Sequence, residues 1–472
     1  MADINLGVGG ANSAVAGGYD IDNSLKIEAD NSERLQRVYS GQSGSISSRT
    51  PTSTKIATIS FWIKRTELQP SGNHLVFLAD ANFTWVGFNN DGLYILGSTA
   101  GINLRSNGKF RDTSAWYHIV VAFDTTQITA SNRVKVYVNG EQWTEFGVSE
   151  NYGAQNNDID LYDTNTSHYF GWSDAQSQSG YYAEAYLIDG QQLAPTEFGE
   201  FDSDSGIWKP KAYGGTFGNQ GWYLDFKDSS DLGKDVSGNG NNFTAHYGGS
   251  AADQAVDTPT NNFSTFNPLH TNYGNYIEGA STIQSTGTGW SSTISTIAPA
   301  SGKWYVEFKF YDTGPAGMIG VSPVQSSNNL VTGHYSGTSG DNGVSWYDFN
   351  GVIRNNAVGV ATYSTWGNSD IVALALDLDN HKVYFAKNNT WQNSANPTTG
   401  TNGISLLDTS SQFYIGASFY YNGPDYIYGN YGGFSGFTIS SAASDENGYG
   451  TFEYAPPSGY YALCTKNLAE YG

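Results

Sequence analysis

The chain has 472 residues, more than one domain usually holds, and this length fits two or three domains at roughly 150 residues each. Lys and Arg total 22 against 44 Asp and Glu, so the formal net charge of -22 would repel a phosphate backbone and we expect no nucleic-acid partner. Aromatic residues make up 15% and charged residues 14%, with 57 Gly, a composition typical of strands and turns. This composition predicts an all-β protein.

The single cysteine, Cys464, cannot form an internal disulfide, so stability has to come from apolar burial and sheet hydrogen bonds. A small buried hydrophobe is the expected role of this residue. The apolar runs, such as 119–123, are too short to cross a bilayer, and no basic segment with an apolar stretch begins the chain. We expect the protein to be synthesised in a reducing cytoplasm, and we expect no membrane insertion.

Residues 1–18 are small, rich in glycine and nearly uncharged, and they cannot build a core of their own. They are interpreted as an N-terminal arm that orders against a partner, with a disordered tail as the alternative. From 19 to 250 short strand candidates alternate with Gly, Asn, Asp and Ser clusters, which indicates a β-sandwich rather than βαβ units.

The stretch 251–272 is polar and rich in turn residues, so it is predicted to be a linker made mostly of loop. A second series of strand candidates from 273 to 441 predicts a second sandwich. Residues 442–472 are predicted to form a short C-terminal tail with one helical turn.

The same strand pattern occurs twice, once at 116–141 and again at 370–389. Each copy has a buried strand, a polar turn, an alternating strand, and then Asn139-Gly140 or Asn388-Asn389. These are signals of antiparallel meanders closed by tight reversals. Two copies indicate two sandwich domains in succession.

The first domain resembles a laminin-G-like module of the concanavalin A-like lectins, through Ser60–Lys64, Trp116–Asp124, Val136–Gly140 and Ala183–Gly190. The second resembles a SPRY-type concanavalin-like domain, through Gly302–Phe308, Ile319–Val321, Val372–Asp377 and Val383–Phe385 with Asn388–Trp391. The resemblance implies two consecutive jelly-roll sandwiches over about four fifths of the chain.

A further succession of motifs is similar to structural proteins of marine and cyanobacterial tailed phages. It comprises Phe198–Asp202, Trp208–Pro210, Gly221–Phe226, Asp257–Phe263, Asn267–Leu269 and Pro456–Cys464. The resemblance implies a virion structural protein, a tail fibre or other appendage acting in host attachment. Its implied partners are other virion proteins bound through the arm, further copies of the chain, with a trimer favoured, and host surface glycan. A capsid-bound decoration or head fibre, and a polysaccharide depolymerase, are the alternatives.

The sequence carries no catalytic signature of the hydrolases that share this fold. Laminarinase-type hydrolases of this fold carry a Glu-x-Asp-x-x-Glu run, which does not occur here, and Glu184 has no acidic residue two positions on. The seven histidines are scattered, and His118 within a strand is interpreted as structural. We therefore expect a protein that is not an enzyme.

The sequence leaves calcium binding open, because loop carboxylates and amides are the oxygen ligands that calcium prefers. The candidate ligands are Asp231, Asp235 and Asn239, with an acidic run at Asp158, Asp160 and Asp163 as a second possibility. The competing explanation is that Asp and Asn stabilise turns through their own backbone.

Aromatic clusters are the candidate binding residues. Tyrosine and tryptophan can stack on sugar rings or anchor a protein interface, and the sequence leaves both open. The candidates are Tyr169, Trp172, Tyr420, Tyr421, Tyr426, Tyr428 and Tyr431.

Overall fold

The computed structural model of the chain describes residues 18–29, 31–38, 50–68, 72–79, 84–162, 167–171, 177–246, 251–270, 274–286, 289–311, 316–324, 342–421 and 425–472. The chain divides into two compact units, one spanning Val15–Thr260 and the other containing Asn261–Gly472. We call them the first and the second unit. The all-β fold class and the sandwich architecture are confirmed.

The first unit contains strands β1 to β18. Their bounds are β1 Ser24–Ile27, β2 Arg34–Arg37, β3 Ile56–Arg65, β4 Asn73–Ala79, β5 Thr84–Asn89, β6 Gly92–Gly97, β7 Ile102–Arg105, β8 Trp116–Asp124, β9 Val134–Val138, β10 Glu141–Trp143, β11 Ser149–Tyr152, β12 His168–Phe170, β13 Gly180–Asp189, β14 Gly199–Phe201, β15 Trp208–Pro210, β16 Trp222–Leu224, β17 Thr244–His246 and β18 Gln254–Ala255. Short 3-10 helices lie at Ala130–Asn132, Pro195–Glu197 and Ala251–Asp253.

The second unit contains strands β19 to β33 and helix α1. Their bounds are β19 Gly274–Ile277, β20 Thr282–Ser285, β21 Gly289–Ile294, β22 Lys303–Tyr311, β23 Ala316–Pro323, β24 Val344–Tyr347, β25 Val352–Asn355, β26 Val358–Thr362, β27 Ile371–Asp377, β28 Lys382–Lys387, β29 Thr390–Trp391, β30 Ile404–Ser405, β31 Phe413–Tyr421, β32 Tyr426–Asn430, β33 Tyr461–Ala462 and α1 Thr465–Tyr471. A 3-10 helix lies at Gln392–Ser394. No helix in these described ranges is long and apolar enough to span a bilayer.

Each unit packs two sheets face to face, and their strands pair antiparallel except for β33, which lies parallel to β22. In the first unit β14 and β15 form a further two-stranded sheet. In the first unit the described strands run β10-β9-β8-β3-β13-β1-β18, with β16 beside β13, and β11-β7-β6-β5-β4-β12-β2-β17. In the second unit they run β19-β20-β32-β22-β27-β28-β29, with β30 beside β28 and β33 beside β22, and β21-β31-β23-β24-β25-β26. We call the last two the nine-stranded and the six-stranded sheet of the second unit.

The core of each unit lies between its two sheets, and side chains alternate between the core and the outer face along each strand. In the first unit Ile59 and Phe61 of β3 belong to the same buried cluster as Val86 and Phe88 of β5. The corresponding apolar core of the second unit includes Val306, Phe308, Ile319, Val321, Leu374, Leu376, Ile415 and Ala417. Burial of alternate apolar residues is therefore the main force holding each sandwich.

The repeated meander is confirmed in both units. Strands β8, β9 and β10 pair in order in the first unit, as do β27, β28 and β29 in the second. Asn139 and Gly140 both have positive φ, and so do Asn388 and Asn389. These are the backbone conformations that a two-residue reversal requires, which explains the choice of Asn and Gly there.

The segments predicted as a linker and a tail both pack against the sandwiches. Gln254–Ala255 pairs with β1, and Asp257 is buried against the first unit through Lys64, with Nζ and Oδ2 2.7 Å apart. Lys26 pairs with Asp253 at 2.9 Å. Polar residues are typical of exposed loops, but here Asp253 and Asp257 form ion pairs with buried lysines. The segment therefore packs into the fold.

The C-terminal residues likewise belong to the second unit. Tyr461–Ala462 lies parallel to β22, and Cys464, fully buried, precedes helix α1. Burial raises the pKa of the Cys464 thiol to about 12, so the thiol stays protonated. The expected role of Cys464 as a small buried hydrophobe fits this position.

Candidate functional site

The outer face of the six-stranded sheet carries a line of aromatic rings. Along β31 the side chains of Ala417 and Phe419 enter the core, so Tyr420 points outward. Trp290 of β21 lies directly opposite Tyr420, with ring centroids 5.6 Å apart. The line continues from Trp290 to Tyr347 at 6.4 Å and from Tyr347 to Phe349 at 6.5 Å. We call these four residues the aromatic row.

The aromatic row is open to solvent at both ends. Phe349 is 66% exposed and Tyr420 36% exposed, whereas Trp290 and Tyr347 are half-buried. Exposed aromatic rings in one contiguous group are uncommon on a protein that has no use for them. Sequence reasoning found Tyr420 but missed the other three. Strand alternation was the available signal, since Trp346 enters the core and Tyr347 therefore faces out.

Tyr426 and Tyr428 lie on the opposite face of the second unit. Both point outward from β32 in the nine-stranded sheet because Ile427 between them enters the core. Their rings stack with centroids 5.9 Å apart, and Tyr311, which is 50% exposed, lies 6.1 Å from Tyr426. Gln284 donates to the hydroxyl of Tyr426 at 2.9 Å. The structure thus separates these tyrosines from Tyr420 rather than joining them in one cluster.

Two other aromatic candidates are buried. The ring of Tyr431 lies in the core of the second unit, 2% exposed, and its hydroxyl donates to the carbonyl of Ile415 at 3.0 Å. Tyr169 packs with Leu78 and Trp85 on the outer face of β12 and is 7% exposed. Tyr431 was predicted to bind a ligand on the surface, and this prediction is wrong because its ring lies between the two sheets. Trp172 and the side chain of Tyr421 lie outside the described residues.

The loop of the candidate calcium ligands is organised by its own backbone. The carboxylate of Asp235 accepts the amide hydrogens of Tyr223, Ser237 and Asn241 at 2.7–3.0 Å. The side-chain amide of Asn239 donates to the carbonyls of Gly218 and Gly221. Asp231 is exposed. Because donors surround the Asp235 oxygens, these contacts do not support a cation there, and calcium binding stays a prediction.

The second acidic run is also engaged in local contacts. Asp158 accepts from the Thr54 hydroxyl at 2.6 Å and pairs with Lys55 at 3.3 Å. Asp160 is buried, and Asp163 lies outside the described residues. In the part of the chain that the structure describes, no group of three or more His, Cys, Asp or Glu side chains is placed to hold a metal ion.

We expect Asp235→Ala to lower the free energy of unfolding of the first unit by about 1–3 kcal/mol, because it leaves buried amide hydrogens without their acceptor. Chelation of calcium should leave the melting temperature of the unaltered chain unchanged. Differential scanning calorimetry with and without calcium measures both effects, with Asp231→Ala as the exposed control. A melting temperature that rises with calcium, and only while Asp235 is present, would contradict this.

Glu184 is a buried carboxylate of the first unit. It lies at a bulge of β13 with φ of 49°, in the left-handed region, and is 2% exposed. The hydroxyls of Tyr19, Tyr186 and Tyr223 all donate to it, those of Tyr19 and Tyr223 at 3.1 and 2.9 Å. Burial raises the pKa of Glu184 to about 7. The carboxylate of Glu184 is therefore hydrogen-bonded by three tyrosine hydroxyls.

Glu307 occupies a comparable position in the second unit. Its side chain, on β22, accepts the backbone amides of Glu453 and Tyr454 at 2.9 and 2.8 Å. The hydroxyl of Tyr305 and the amide of Asn430 donate to the same carboxylate at 3.0 and 3.1 Å. Burial raises its pKa to about 7. Glu307 thus attaches the C-terminal segment to the sheet.

His118 has the structural role that the sequence analysis assigns to it. Its Nδ1 accepts the indole hydrogen of Trp208 at 3.0 Å, so Nε2 carries the ring proton and donates to the Ser60 hydroxyl at 2.9 Å. The ring stacks on Trp62 with centroids 4.7 Å apart. Burial lowers the pKa of His118 to about 3, so both ring nitrogens are engaged in the neutral form.

Comparison with known families identifies the class of the first unit. Residues 40–187 match the laminin G type of the concanavalin A-like lectin/glucanases superfamily. This range includes most of the two sheets described above, from β3 to most of β13. The first half of the chain therefore contains a concanavalin A-like domain.

The solved structures to which the chain is similar include two SPRY-type domains and a pentraxin. The SPRY domain of human HERC1 has 14% identity and a TM-score of 0.29, covering 35% of this chain and 96% of that domain. A SAP-like pentraxin from Limulus polyphemus has 14% identity and a TM-score of 0.27, covering 38% and 80%. The PSpry domain of TRIM65 has 14% identity and a TM-score of 0.26, covering 35% and 90%. No curated protein matches the sequence.

Proposed function

We propose that this chain is a binding protein of a tailed-phage virion, an appendage that attaches the particle to its host. The observation that carries the proposal is the aromatic row, which displays Tyr420, Trp290, Tyr347 and Phe349 on one sheet face. Phage origin is supported by the motif succession from Phe198–Asp202 to Pro456–Cys464. The lectin-type sandwich supports binding as the activity.

The aromatic row fits a ligand with flat apolar surface. Tyr and Trp give large contact area with few rotatable bonds, and they dominate the binding energy of many interfaces. The same ring faces stack on sugars. Host surface glycan and a host surface protein are both ligands of this chemistry.

We propose binding without catalysis. Glu184 and Glu307 have raised pKa values, as a catalytic acid would, but each is buried and held by donors of its own unit. A general acid has to reach the leaving group of its substrate. These two carboxylates serve the fold instead.

We further propose that residues 1–18 dock the appendage to the particle and that the chain acts as a homo-oligomer within the virion. The low charge and small side chains of the arm support this role. Deleting residues 1–18 should abolish incorporation into particles while leaving the melting temperature of the two units unchanged. Full incorporation of the truncated chain would overturn the docking role.

Binding is tested by removing rings from the aromatic row. We expect Phe349→Ala and Trp290→Ala to weaken binding of the purified chain to host cell envelopes by at least about tenfold, since a central aromatic anchor contributes about 2 kcal/mol or more. Phe201→Ala, which removes another exposed aromatic ring, in this case from the first unit, is the matched control. Biolayer interferometry on immobilised envelopes measures the affinity.

Antibody labelling locates the protein. An antibody to the chain should decorate tailed particles in negative-stain images, at the tail for an appendage and at the head for a capsid decoration. Unlabelled particles, together with unchanged envelope binding by both ring variants, would overturn the proposed function.

A further inference from the structure

The ammonium of Lys26 lies between two buried carboxylates of the first unit. Its Nζ is 2.9 Å from Asp253 Oδ1, 3.3 Å from Glu33 Oε1 and 3.2 Å from Glu33 Oε2. The side chains of Lys26, Glu33 and Asp253 are 1%, 6% and 8% exposed. We call these three residues the buried triad. It is independent of the binding role proposed for the aromatic row, which belongs to the second unit.

The pairing of two strands brings Lys26 and Asp253 together. Strands β1 and β18 run antiparallel, with Leu25 opposite Gln254. Lys26 and Asp253 come one position beyond this pair, and side chains at opposite positions of neighbouring strands have Cβ atoms about 5 Å apart. Backbone pairing therefore holds the amine of one side chain against the carboxylate of the other.

Glu33 is held against this pair by the turn between β1 and β2. Its Oε2 accepts the backbone amide hydrogen of Glu28 at 2.8 Å, and the Glu33 amide donates to the Glu28 carbonyl at 3.3 Å. The side-chain amide of Asn31 donates to Glu33 Oε1 at 3.3 Å. The Glu28 carboxylate, also buried, accepts the Ser179 hydroxyl at 2.9 Å. The turn thus fixes the Glu33 carboxylate beside the Lys26 ammonium.

The buried triad contains the groups that amide formation requires. An amine condenses with a carboxyl group when the two are held in contact, since positioning replaces the encounter in solution. A second carboxylate beside them can carry protons from the nitrogen to the leaving oxygen. Lys26, Asp253 and Glu33 supply these groups. Amide formation also removes two buried charges, which are costly to keep out of water.

We propose that Lys26 and Asp253 form an intramolecular amide bond, with Glu33 as the group that transfers protons. A bond forms between Lys26 Nζ and Asp253 Cγ, and one Cγ–O bond of Asp253 breaks. One proton of the ammonium stays on the amide nitrogen, and the other two leave with the oxygen as water. Glu33 takes up these protons and passes them on, so it ends in its starting state. The reaction consumes no oxidant or other reactant.

The amide bond closes almost the whole first unit into one covalent loop, since this unit spans Val15–Thr260. A cross-link that closes a long loop stabilises a protein mainly by restricting the unfolded chain. The single cysteine, Cys464, gives the chain no internal disulfide. The amide therefore supplies a covalent cross-link that reduction does not break.

Mass spectrometry of the purified full chain tests the proposal. After allowance for any loss of Met1, the intact mass should be lower than that of the sequence by one water. A tryptic digest should contain a branched peptide that joins the segments around Lys26 and Asp253. Glu33→Gln keeps the shape of the side chain, so it should retain the native circular dichroism spectrum but lose the link. Asp253→Asn keeps a carbonyl carbon at this position and should lose ammonia in place of water.

Lys64 and Asp257 provide the matched control. Lys64 Nζ lies 2.7 Å from Asp257 Oδ2 and this pair is buried as deeply, but the other oxygen of Asp257 accepts the indole hydrogen of Trp116. The peptides of this pair should remain separate. An intact mass equal to that of the sequence, or a water lost within a single peptide, would overturn the proposal. A link at Lys64 in place of Lys26, or one that survives in Glu33→Gln, would overturn it as well.

Discussion

Asp257→Ala is expected to lower the free energy of unfolding of the first unit by about 3–5 kcal/mol, the effect of removing one partner from a buried ion pair. Asp257 Oδ2 lies 2.7 Å from Lys64 Nζ, and neither side chain is more than 1% exposed. The other oxygen accepts the indole hydrogen of Trp116 at 3.1 Å. Burial already lowers the pKa of Lys64, and loss of Asp257 would leave the ammonium without this counter-charge.

Urea unfolding of the full chain measures this effect, with Asp158→Ala as the matched control. Asp158 also pairs with a lysine, at 3.3 Å, but its side chain is 52% exposed, so its removal should change the free energy of unfolding by about 1 kcal/mol or less. The double variant Lys64→Met/Asp257→Leu should regain most of the lost stability, because apolar residues replace both charges. Equal changes in the free energy of unfolding for Asp257→Ala and Asp158→Ala would contradict a stabilising role of the buried ion pair.

Acidification from about pH 7 to about pH 5 is expected to shift the stabilities of the two units in opposite directions. In the second unit the pKa of Glu307 is raised from 4.5 to about 7 by burial. The folded state therefore binds a proton that the unfolded state has lost in this range. Its stabilising contribution is complete below pH 4.5 and is lost as the pH rises through about 7, so acidification should add about 2 kcal/mol.

In the first unit two buried histidines outweigh Glu184. Burial lowers the pKa values of His118 and His168 from 6.5 to about 3, so the unfolded state takes up their protons first. Their contribution is present above pH 6.5 and is lost as the pH falls. Together they remove about 4 kcal/mol by about pH 5, against about 2 kcal/mol gained at Glu184, whose pKa is raised to about 7. The net expectation is a loss of about 2 kcal/mol.

Hydrogen–deuterium exchange with mass spectrometry follows the core strands of each unit separately in the full chain. Protection of β22 and β27 should increase at the lower pH, and protection of β3 and β8 should decrease. Glu307→Gln, which keeps the shape of the side chain without the titration, should abolish the increase in the second unit. Parallel changes in both units would refute the assignment of these groups.

The strand pattern of each sandwich could be predicted from sequence because it depends on local alternation. Val134 and Val136 alternate with polar neighbours and are buried, and the Asn139-Gly140 and Asn388-Asn389 reversals have the positive φ that their residue types suit. The family match over residues 40–187 agrees with the laminin-G-like resemblance. The tyrosine candidates show the limit of sequence-based prediction. Tyr431 and Tyr420 have similar sequence surroundings, but Tyr431 lies in the core and Tyr420 lies on the surface.

The segment around Asp257 shows what composition alone does not reveal. Its polar residues are those of a linker, yet Lys64, which is 193 positions away in the chain, makes Asp257 a buried partner. No local pattern contains that information. The same holds for Glu184, whose donors Tyr19 and Tyr223 lie 165 and 39 positions away.

The sequence by itself determined the all-β class, the two meanders and the lectin-type resemblance, because hydrophobic alternation and turn chemistry act between near neighbours. Only the tertiary structure decided which aromatic rings reach solvent, since Trp290, Tyr347 and Phe349 join Tyr420 across strands that are far apart in the chain. It also decided that the hydroxyls of Ser322 and Ser418 are buried without a hydrogen-bond partner among the described residues. Both features depend on which strands pair, and strand pairing brings together residues that no local pattern connects.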